Sequence, residues 1–80
     1  MKKYYAETNS ESMVLITDGV KAVYIDETAF DEELTLEVAK AADYSNFDMD
    51  GTIEEANHNY ADGTHLIDFN TDDYDSLIEF

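Results

Sequence analysis

The dipeptide Asp18-Gly19 separates two short apolar segments, and this arrangement constrains the fold more than any other feature of the sequence. Residues 13–17 form an apolar run, and residues 20–26 are rich in the β-branched and aromatic side chains that favour strands. An Asp-Gly pair between two such segments indicates a tight hairpin turn. A third candidate strand, residues 3–8, is followed by the turn-forming residues 9–11. The sequence therefore predicts an antiparallel meander of three strands.

From residue 28 onward the apolar residues recur at helical spacing. This stripe consists of Leu34, Val38, Ala41 and Ala42. Asp31 or Thr35 could cap the start of this helix, because the side-chain oxygen of either residue can accept a backbone hydrogen bond. A second helix is predicted to begin at Thr52 and to end at Asp62-Gly63, where glycine can adopt the left-handed cap conformation.

The C-terminal segment has a mixed pattern. Residues 64–69 are predicted to form a strand that joins the meander, whereas residues 70–80 suit either a short helix capped near Thr71 or an edge segment. A length of 80 residues corresponds to one domain. The predicted fold class is α+β: an antiparallel β-meander of three to four strands packed against two short helices, in a single domain that spans residues 1–80.

Net charge limits the possible partners. The chain has 20 carboxylates, four lysines and no arginine, which gives a formal net charge of −16. No Lys or Arg follows Lys40, whereas eleven carboxylates do. Direct binding to nucleic acid or to an anionic membrane would be opposed by repulsion between like charges. The expected partner is therefore a basic protein surface or a cation.

Composition also indicates a folded, intracellular protein. The hydrophobic fraction of 44% exceeds that of disordered acidic tails, which are poor in aromatic and β-branched residues. The absence of cysteine is typical of a reducing compartment. The first residues lack the apolar run of a signal peptide, and no window is long and apolar enough to span a membrane. We expect a cytoplasmic location.

Residues 46–57 resemble the calcium-binding loop of an EF-hand. Asn46, Asp48, Asp50, Gly51 and Ile53 occupy positions one, three, five, six and eight of that motif. The resemblance fails at both ends, because position one is asparagine rather than aspartate and position twelve is asparagine rather than the bidentate glutamate. We therefore interpret the segment as a glycine-containing turn between two helices, with a calcium-binding module as the alternative.

Other site chemistries have weaker support. His58, Asp62 and His65 have the spacing of a metal site on one helical face, but Gly63 is predicted to end that helix. No serine lies in a nucleophile elbow, and no glycine-rich phosphate loop is present. With 20 carboxylates in the chain, no single acid–base pair stands out. We expect neither enzymatic activity nor a cofactor.

In size, acidity and lack of cysteine, the chain resembles the small phage and mobile-element proteins that inhibit host nucleases by imitating DNA, such as anti-CRISPR and anti-restriction proteins. This resemblance implies an inhibitor in the host cytoplasm that blocks the DNA- or RNA-binding groove of a defence nuclease. Its partner would be the Lys/Arg-rich surface of a CRISPR effector or a restriction enzyme. An acidic accessory protein that binds a basic partner other than a nuclease is the second alternative.

The lysine-free C-terminal half is the predicted binding surface, since its carboxylates can accept hydrogen bonds from Arg or Lys. The predicted partner-binding residues are Asp48, Asp50, Glu54, Glu55, Asp62, Asp72, Asp73, Asp75 and Glu79. The active species is expected to be a monomer or a homodimer, since an exposed edge strand could pair two copies.

Overall fold

A computed structural model describes residues 1–47, 49–58 and 64–80, with the backbone alone for residues 56–58. Five strands form one antiparallel sheet in the spatial order β4-β3-β2-β1-β5. The strands are β1 (Lys2–Glu7), β2 (Ser12–Thr17), β3 (Lys21–Asp26), β4 (Thr64–Asp68) and β5 (Ser76–Glu79). Two helices, α1 (Leu36–Ala41) and α2 (Ile53–His58), lie in the chain between β3 and β4. Neither is long and apolar enough to cross a membrane.

The predicted three-stranded meander is confirmed, and so is the strand at residues 64–69, which pairs with β3 as Thr64–Asp68. The hairpin between β2 and β3 depends on the predicted Asp-Gly turn. Gly19 has a φ of 98°, in the left-handed region that glycine adopts without steric cost. The Asp18 carboxylate accepts hydrogen bonds from the backbone N–H groups of Val20 and Lys21, both at 2.8 Å.

The predicted count of three to four strands is wrong, because the described residues form five. The fifth strand lies in residues 70–80, for which a short helix was the alternative. A 3₁₀ turn occupies Thr71–Asp73, and the chain then pairs with β1 along Ser76–Glu79. The helical interpretation is therefore limited to the 3₁₀ turn that Asn70 caps, and the edge-segment interpretation holds for Ser76–Glu79. Its partner is the first strand of the chain, a long-range pairing that the local pattern does not reveal.

Side-chain caps begin both helices. Thr35, rather than Asp31, is the N-cap of α1, and its hydroxyl oxygen accepts a hydrogen bond from the Val38 N–H at 3.2 Å. At the start of α2, the Thr52 hydroxyl accepts from the Glu55 N–H and the Glu55 carboxylate accepts from the Thr52 N–H, each at 3.2 Å. This reciprocal pair is a capping box. The predicted end of the second helix, at Asp62-Gly63, lies outside the described residues.

One face of the sheet packs against the helices. Alternate side chains of β2 and β3 point to this face, and they are fully buried against residues from α1, α2 and the connecting loops. The sheet contributes Val14, Ile16, Val23 and Ile25, and the helical layer contributes Leu34, Ala39, Tyr44, Phe47 and Ile53. This is the larger of the two apolar clusters.

Residues 69–75, here called the strap, cover the opposite face. β4 and β5 lie at opposite edges of the sheet, so the segment that joins them must pass from one edge to the other. Phe69 follows β4, and its ring stacks on Tyr4 of β1 with centroids 5.8 Å apart. Beneath this crossing, Met13 and Leu15 are 1% and 0% exposed. The sheet is therefore buried on both faces, by helices on one side and by the strap on the other.

Candidate functional site

The lysines lie toward one end of the sheet, here called the lysine end. Lys2 and Lys3 begin β1 and Lys21 begins β3, and in an antiparallel meander the first and third strands start at the same end. Lys40 lies in the last turn of α1 and precedes Tyr44, whose ring centre is 5.0 Å from the Lys3 ammonium. Three of the four lysines therefore lie at one end of the sheet, and the fourth lies in α1.

Carboxylates collect at the other end of the sheet. Glu7 and Asp26 are the last residues of β1 and β3, and Glu11 lies in the turn between β1 and β2. The strap reaches this end, where the Asp75 N–H donates to the Glu7 carbonyl at 2.8 Å. Asp73 lies two residues earlier in the strap. We call Glu7, Glu11, Asp26, Asp73 and Asp75 the acidic end.

The ion pairs found among the described residues lie away from the acidic end. The Nζ atom of Lys2 is 3.8 Å from Oε1 of Glu79. Lys21 is paired with Asp68, where β3 and β4 meet at the lysine end. The hydrogen bond that the Lys21 ammonium donates to the Asp68 carboxylate raises the pKa of Lys21 above its usual value, and the charge of Glu54 adds to the effect. Carboxylates at the lysine end therefore have cations beside them.

Two partly buried tyrosines lie within the acidic end. Burial raises the pKa of Tyr24 well above its ordinary value, and a hydrogen bond to the Glu11 carboxylate and the charge of Asp26 raise it further. Burial also raises the pKa of Tyr74, and the charges of Asp73 and Glu11 act in the same direction. Glu11 thus interacts with one tyrosine on the sheet and one on the strap. Glu11 is therefore close enough to both tyrosines for its charge to raise the pKa of each.

The acidic surface continues onto the helix side of the sheet. Glu27 follows Asp26 directly and lines a shallow cleft of about 330 Å³ together with Glu32 and Glu33. Leu34 also lines this cleft, and its carbonyl accepts a hydrogen bond from the Tyr5 hydroxyl at 3.5 Å. Every described Asp and Glu side chain is exposed except those of Glu7 and Asp26, which are partly buried. Exposed carboxylates therefore extend from the residue that follows Asp26 into this cleft.

The structure divides the predicted partner-binding residues. Asp73 and Asp75 belong to the acidic end, and Asp72 lies beside them, exposed on the strap. Glu79 is paired with Lys2 at the lysine end. Asp48 and Asp62 lie outside the described residues.

The remaining three predicted residues lie at or before α2, on the helix side. Glu55 takes part in the capping box, so its carboxylate already has a structural partner. Glu54 is close enough to Lys21 to affect the pKa of that lysine. Asp50 is exposed in the turn that precedes α2. The seven predicted residues that the structure describes therefore lie in three places: on the strap, beside Lys2 and near the start of α2.

Sequence reasoning missed Glu7, Glu11 and Asp26 because it weighed charge by position along the chain. Two of the four lysines, Lys2 and Lys3, lie close to the N-terminus. By position in the sequence, the N-terminal half is therefore less acidic than the C-terminal half. Strand direction was the signal that could have found them. In an antiparallel meander the first and third strands end together, which places their last residues, Glu7 and Asp26, at one end of the sheet.

The two metal-site interpretations involve residues that are only partly described. No group of three or more His, Asp or Glu side chains within residues 1–47, 49–55 and 64–80 could hold a metal ion. Asp48 of the calcium-loop motif and Asp62 of the histidine motif lie outside the described residues. α1 ends at Ala41, before Asn46, so no helix leads directly into the loop as it does in an EF-hand. His65 lies in β4, with its ring centre 6.4 Å from that of Tyr24.

Comparison of the chain with protein-family models, with curated proteins and with solved structures finds no match. The function of the chain is therefore inferred from its distribution of charge and from the surfaces of the fold. Carboxylates on a rigid sheet act as hydrogen-bond acceptors for Lys and Arg, and such charge-assisted bonds are about twice as strong as neutral ones. The arrangement therefore offers hydrogen-bond acceptors to cationic groups.

Proposed function

We propose that this protein is an inhibitor that imitates nucleic acid and occupies the DNA- or RNA-binding groove of a host defence nuclease, as do the anti-CRISPR and anti-restriction proteins that it resembles. The observation that carries the proposal is the separation of charge along the strands. Exposed and partly buried carboxylates lie at one end of the sheet, and Lys2, Lys3 and Lys21 lie at the other. A target of this kind would place the activity in the host cytoplasm.

The dimensions of the fold suit a short stretch of duplex. The described residues extend over 30 × 28 × 21 Å, and one turn of DNA measures ~34 Å along its axis. Duplex DNA presents one negative charge per ~1.7 Å of axis, and the proteins that bind it neutralise these charges with Lys and Arg. The carboxylates of the acidic end are attached to strand termini and to the strap, so their positions are fixed before the target is met. Preorganisation of this kind lowers the entropic cost of binding.

The lysine end helps to orient the inhibitor as it approaches the target. A basic groove attracts the acidic end and repels Lys2, Lys3 and Lys21, so the encounter is oriented by the charge of the whole domain. Solubility alone asks for a net charge of magnitude ~2–8 in a small domain and requires no separation of signs. Charge separation is therefore better explained by recognition than by solubility.

The proposal is tested by removing charge from one end at a time. In the first variant Glu7, Glu11, Asp73 and Asp75 are replaced by Gln or Asn. In a matched control the same number of charges is removed near the lysines, at Asp50, Glu54, Asp68 and Glu79. Each exposed ion pair contributes ~0.2–1 kcal/mol, so four lost pairs should weaken inhibition by the first variant ~4-fold or more. The control should change inhibition by much less.

The measurement is displacement of labelled duplex from a panel of CRISPR effectors and restriction enzymes, with circular dichroism to check that both variants fold. Inhibition by the unmodified protein should fall steeply as salt rises from ~0.05 to ~0.2 M, since it depends on charge. Equal losses in the two variants would contradict the assignment of the acidic end. If pull-down from host lysate recovers a basic partner that does not bind nucleic acid, the accessory-protein alternative replaces this proposal.

A further inference from the structure

A second surface feature lies on the helix side, where the segment after β3 approaches α1. A groove of about 400 Å³ runs between residues 29–32 and residues 38–44. Its apolar part is formed by Phe30, Val38 and Ala42, which are partly buried against the larger core cluster. Three exposed carboxylates line it as well: Asp31, Glu32 and Asp43. We call this the Phe30 groove.

The lining of the groove is apolar in one part and negatively charged in another, and few ligands match both parts. An apolar lining with an aromatic ring favours aliphatic or planar groups, whereas carboxylates favour a cation. Long basic side chains satisfy both requirements, because they bury their methylene stems against apolar surface and keep the charged head near polar groups. Between the two basic residues, arginine is the better match, since its planar guanidinium stacks on aromatic rings and binds carboxylates through two parallel hydrogen bonds.

The groove is continuous with the acidic surface. Glu32 lines both the Phe30 groove and the neighbouring cleft, where it meets Glu27, and Glu27 directly follows Asp26 of the acidic end. A basic partner held by the acidic end would therefore have further cationic residues near the groove. Lysine and arginine side chains are absent from the lining. Charge complementarity thus favours a cationic occupant from another molecule.

We propose that the Phe30 groove binds an arginine side chain of a partner protein, with the guanidinium against the Phe30 ring and hydrogen-bonded to Asp31, Glu32 or Asp43. This inference rests on the proposed function, because it adds an anchoring contact to a surface that otherwise recognises charge alone. Arginine is over-represented among the residues that dominate interface energies. The groove would therefore favour targets that present arginine over those that present lysine.

The test uses three capped tripeptides that differ only in the central residue: arginine, lysine or citrulline. Each is titrated into the isotope-labelled protein, and backbone amide shifts are followed by NMR. The arginine peptide should shift the amides of Phe30, Val38 and Ala42 and should bind several-fold more tightly than the lysine peptide. Citrulline keeps the planar shape without the charge, so the citrulline peptide should not bind measurably.

Matched variants separate the ring from the charge. Phe30→Leu keeps the apolar packing but removes the aromatic face, which should weaken arginine binding ~3-fold and abolish the preference over lysine. Phe69→Leu is the control, because it removes a partly buried aromatic ring from the strap on the other face. Asp31→Asn should weaken arginine binding, whereas Asp72→Asn, which removes the same charge from the strap, should not.

The outcomes distinguish the groove from the inhibitor proposal. Shifts spread over all acidic surfaces, with equal affinity for arginine and lysine, would overturn the groove and leave nuclease inhibition to be judged by its own assay. Arginine-selective shifts at the groove without inhibition of any nuclease would support the groove and contradict the proposed function. Self-association of the protein through the groove, detected by light scattering and lost in Phe30→Leu, would overturn the assignment of a partner arginine.

Discussion

Replacement of Leu15 by alanine tests whether the strap face is a true second core. Leu15 is 0% exposed and lies between Tyr4 on β1 and Tyr24 on β3. The substitution removes three carbons, a transfer loss of ~2.4 kcal/mol at ~0.8 kcal/mol per methylene. A partly collapsed cavity adds to this loss, and measured Leu→Ala substitutions in a rigid core cost ~2.7–5.0 kcal/mol. We expect the free energy of unfolding to fall by about 3 kcal/mol.

This loss is large for a domain of 80 residues, whose total stability is expected to be ~4–12 kcal/mol. At ~4–8 °C per kcal/mol, the melting temperature should fall by ~12–24 °C. Urea unfolding followed by far-UV circular dichroism and tyrosine fluorescence measures the change. Val20→Ala is the control, because Val20 is 70% exposed and should matter little. A loss below ~1 kcal/mol at Leu15 would show that the strap does not exclude water, and the argument for two buried faces would fail.

Two further predictions concern the tyrosines and the second helix. Because folding raises the pKa of Tyr24 and Tyr74 above the ordinary value of 10.0, their neutral forms stabilise the fold, and this contribution is lost as pH rises through the folded-state values. Absorbance titration should therefore show both tyrosines ionising at higher pH in the native protein than in urea, and coincident curves would contradict the buried hydroxyls. Thr52→Ala removes the hydroxyl that accepts from the Glu55 N–H, which should cost ~1 kcal/mol in urea unfolding, whereas Thr52→Ser should be nearly neutral. Equal losses in these two variants would show that the capping bond is not the cause.

The features that sequence reasoning predicted are those encoded by adjacent residues. The hairpin at Asp18-Gly19 is one example, since the aspartate side chain caps the turn and glycine takes a positive φ without steric cost. The start of α1 at Thr35 is another, because the capping oxygen and the Val38 N–H that it accepts from are three residues apart. In each case the partners lie within one turn of chain, so the sequence contains the whole interaction.

The features that it missed depend on contacts between distant residues. Residues 76–79 form a strand because β1 offers an unpaired edge more than sixty residues earlier in the chain. The strap follows from this pairing, since β5 lies at the edge opposite β4. Its seven residues contain two aromatic rings and three aspartates, a composition that is equally compatible with a helix or a loop. The stacking of Phe69 on Tyr4 and the packing of Tyr74 against the cluster that contains Leu15 show which face the strap covers.

The same limitation explains the candidate site. Counting charges along the chain favoured the C-terminal half, yet Asp73 and Asp75 gain their neighbours Glu7, Glu11 and Asp26 through strand direction and through the strap. Had β5 paired beyond β4 instead of beside β1, the strap would not need to cross the sheet, and its aspartates would lie far from the end of β1. Register and topology, rather than local composition, therefore determine where the negative charge collects.

Charge separation and the doubly covered sheet are connected physically. Bringing many carboxylates to one end raises the electrostatic cost of the folded state, and a domain with a single small core would have little stability to offset that cost. Burial of both faces supplies more apolar contact than a one-sided sheet of this length. The strap contributes to both the negative charge and the apolar packing. Phe69 and Tyr74 help to cover Met13 and Leu15. Asp73 and Asp75 extend the acidic end. The strap therefore increases the electrostatic repulsion within the domain and also adds the apolar packing that offsets the repulsion. This packing allows so small a domain to hold its carboxylates in a fixed arrangement.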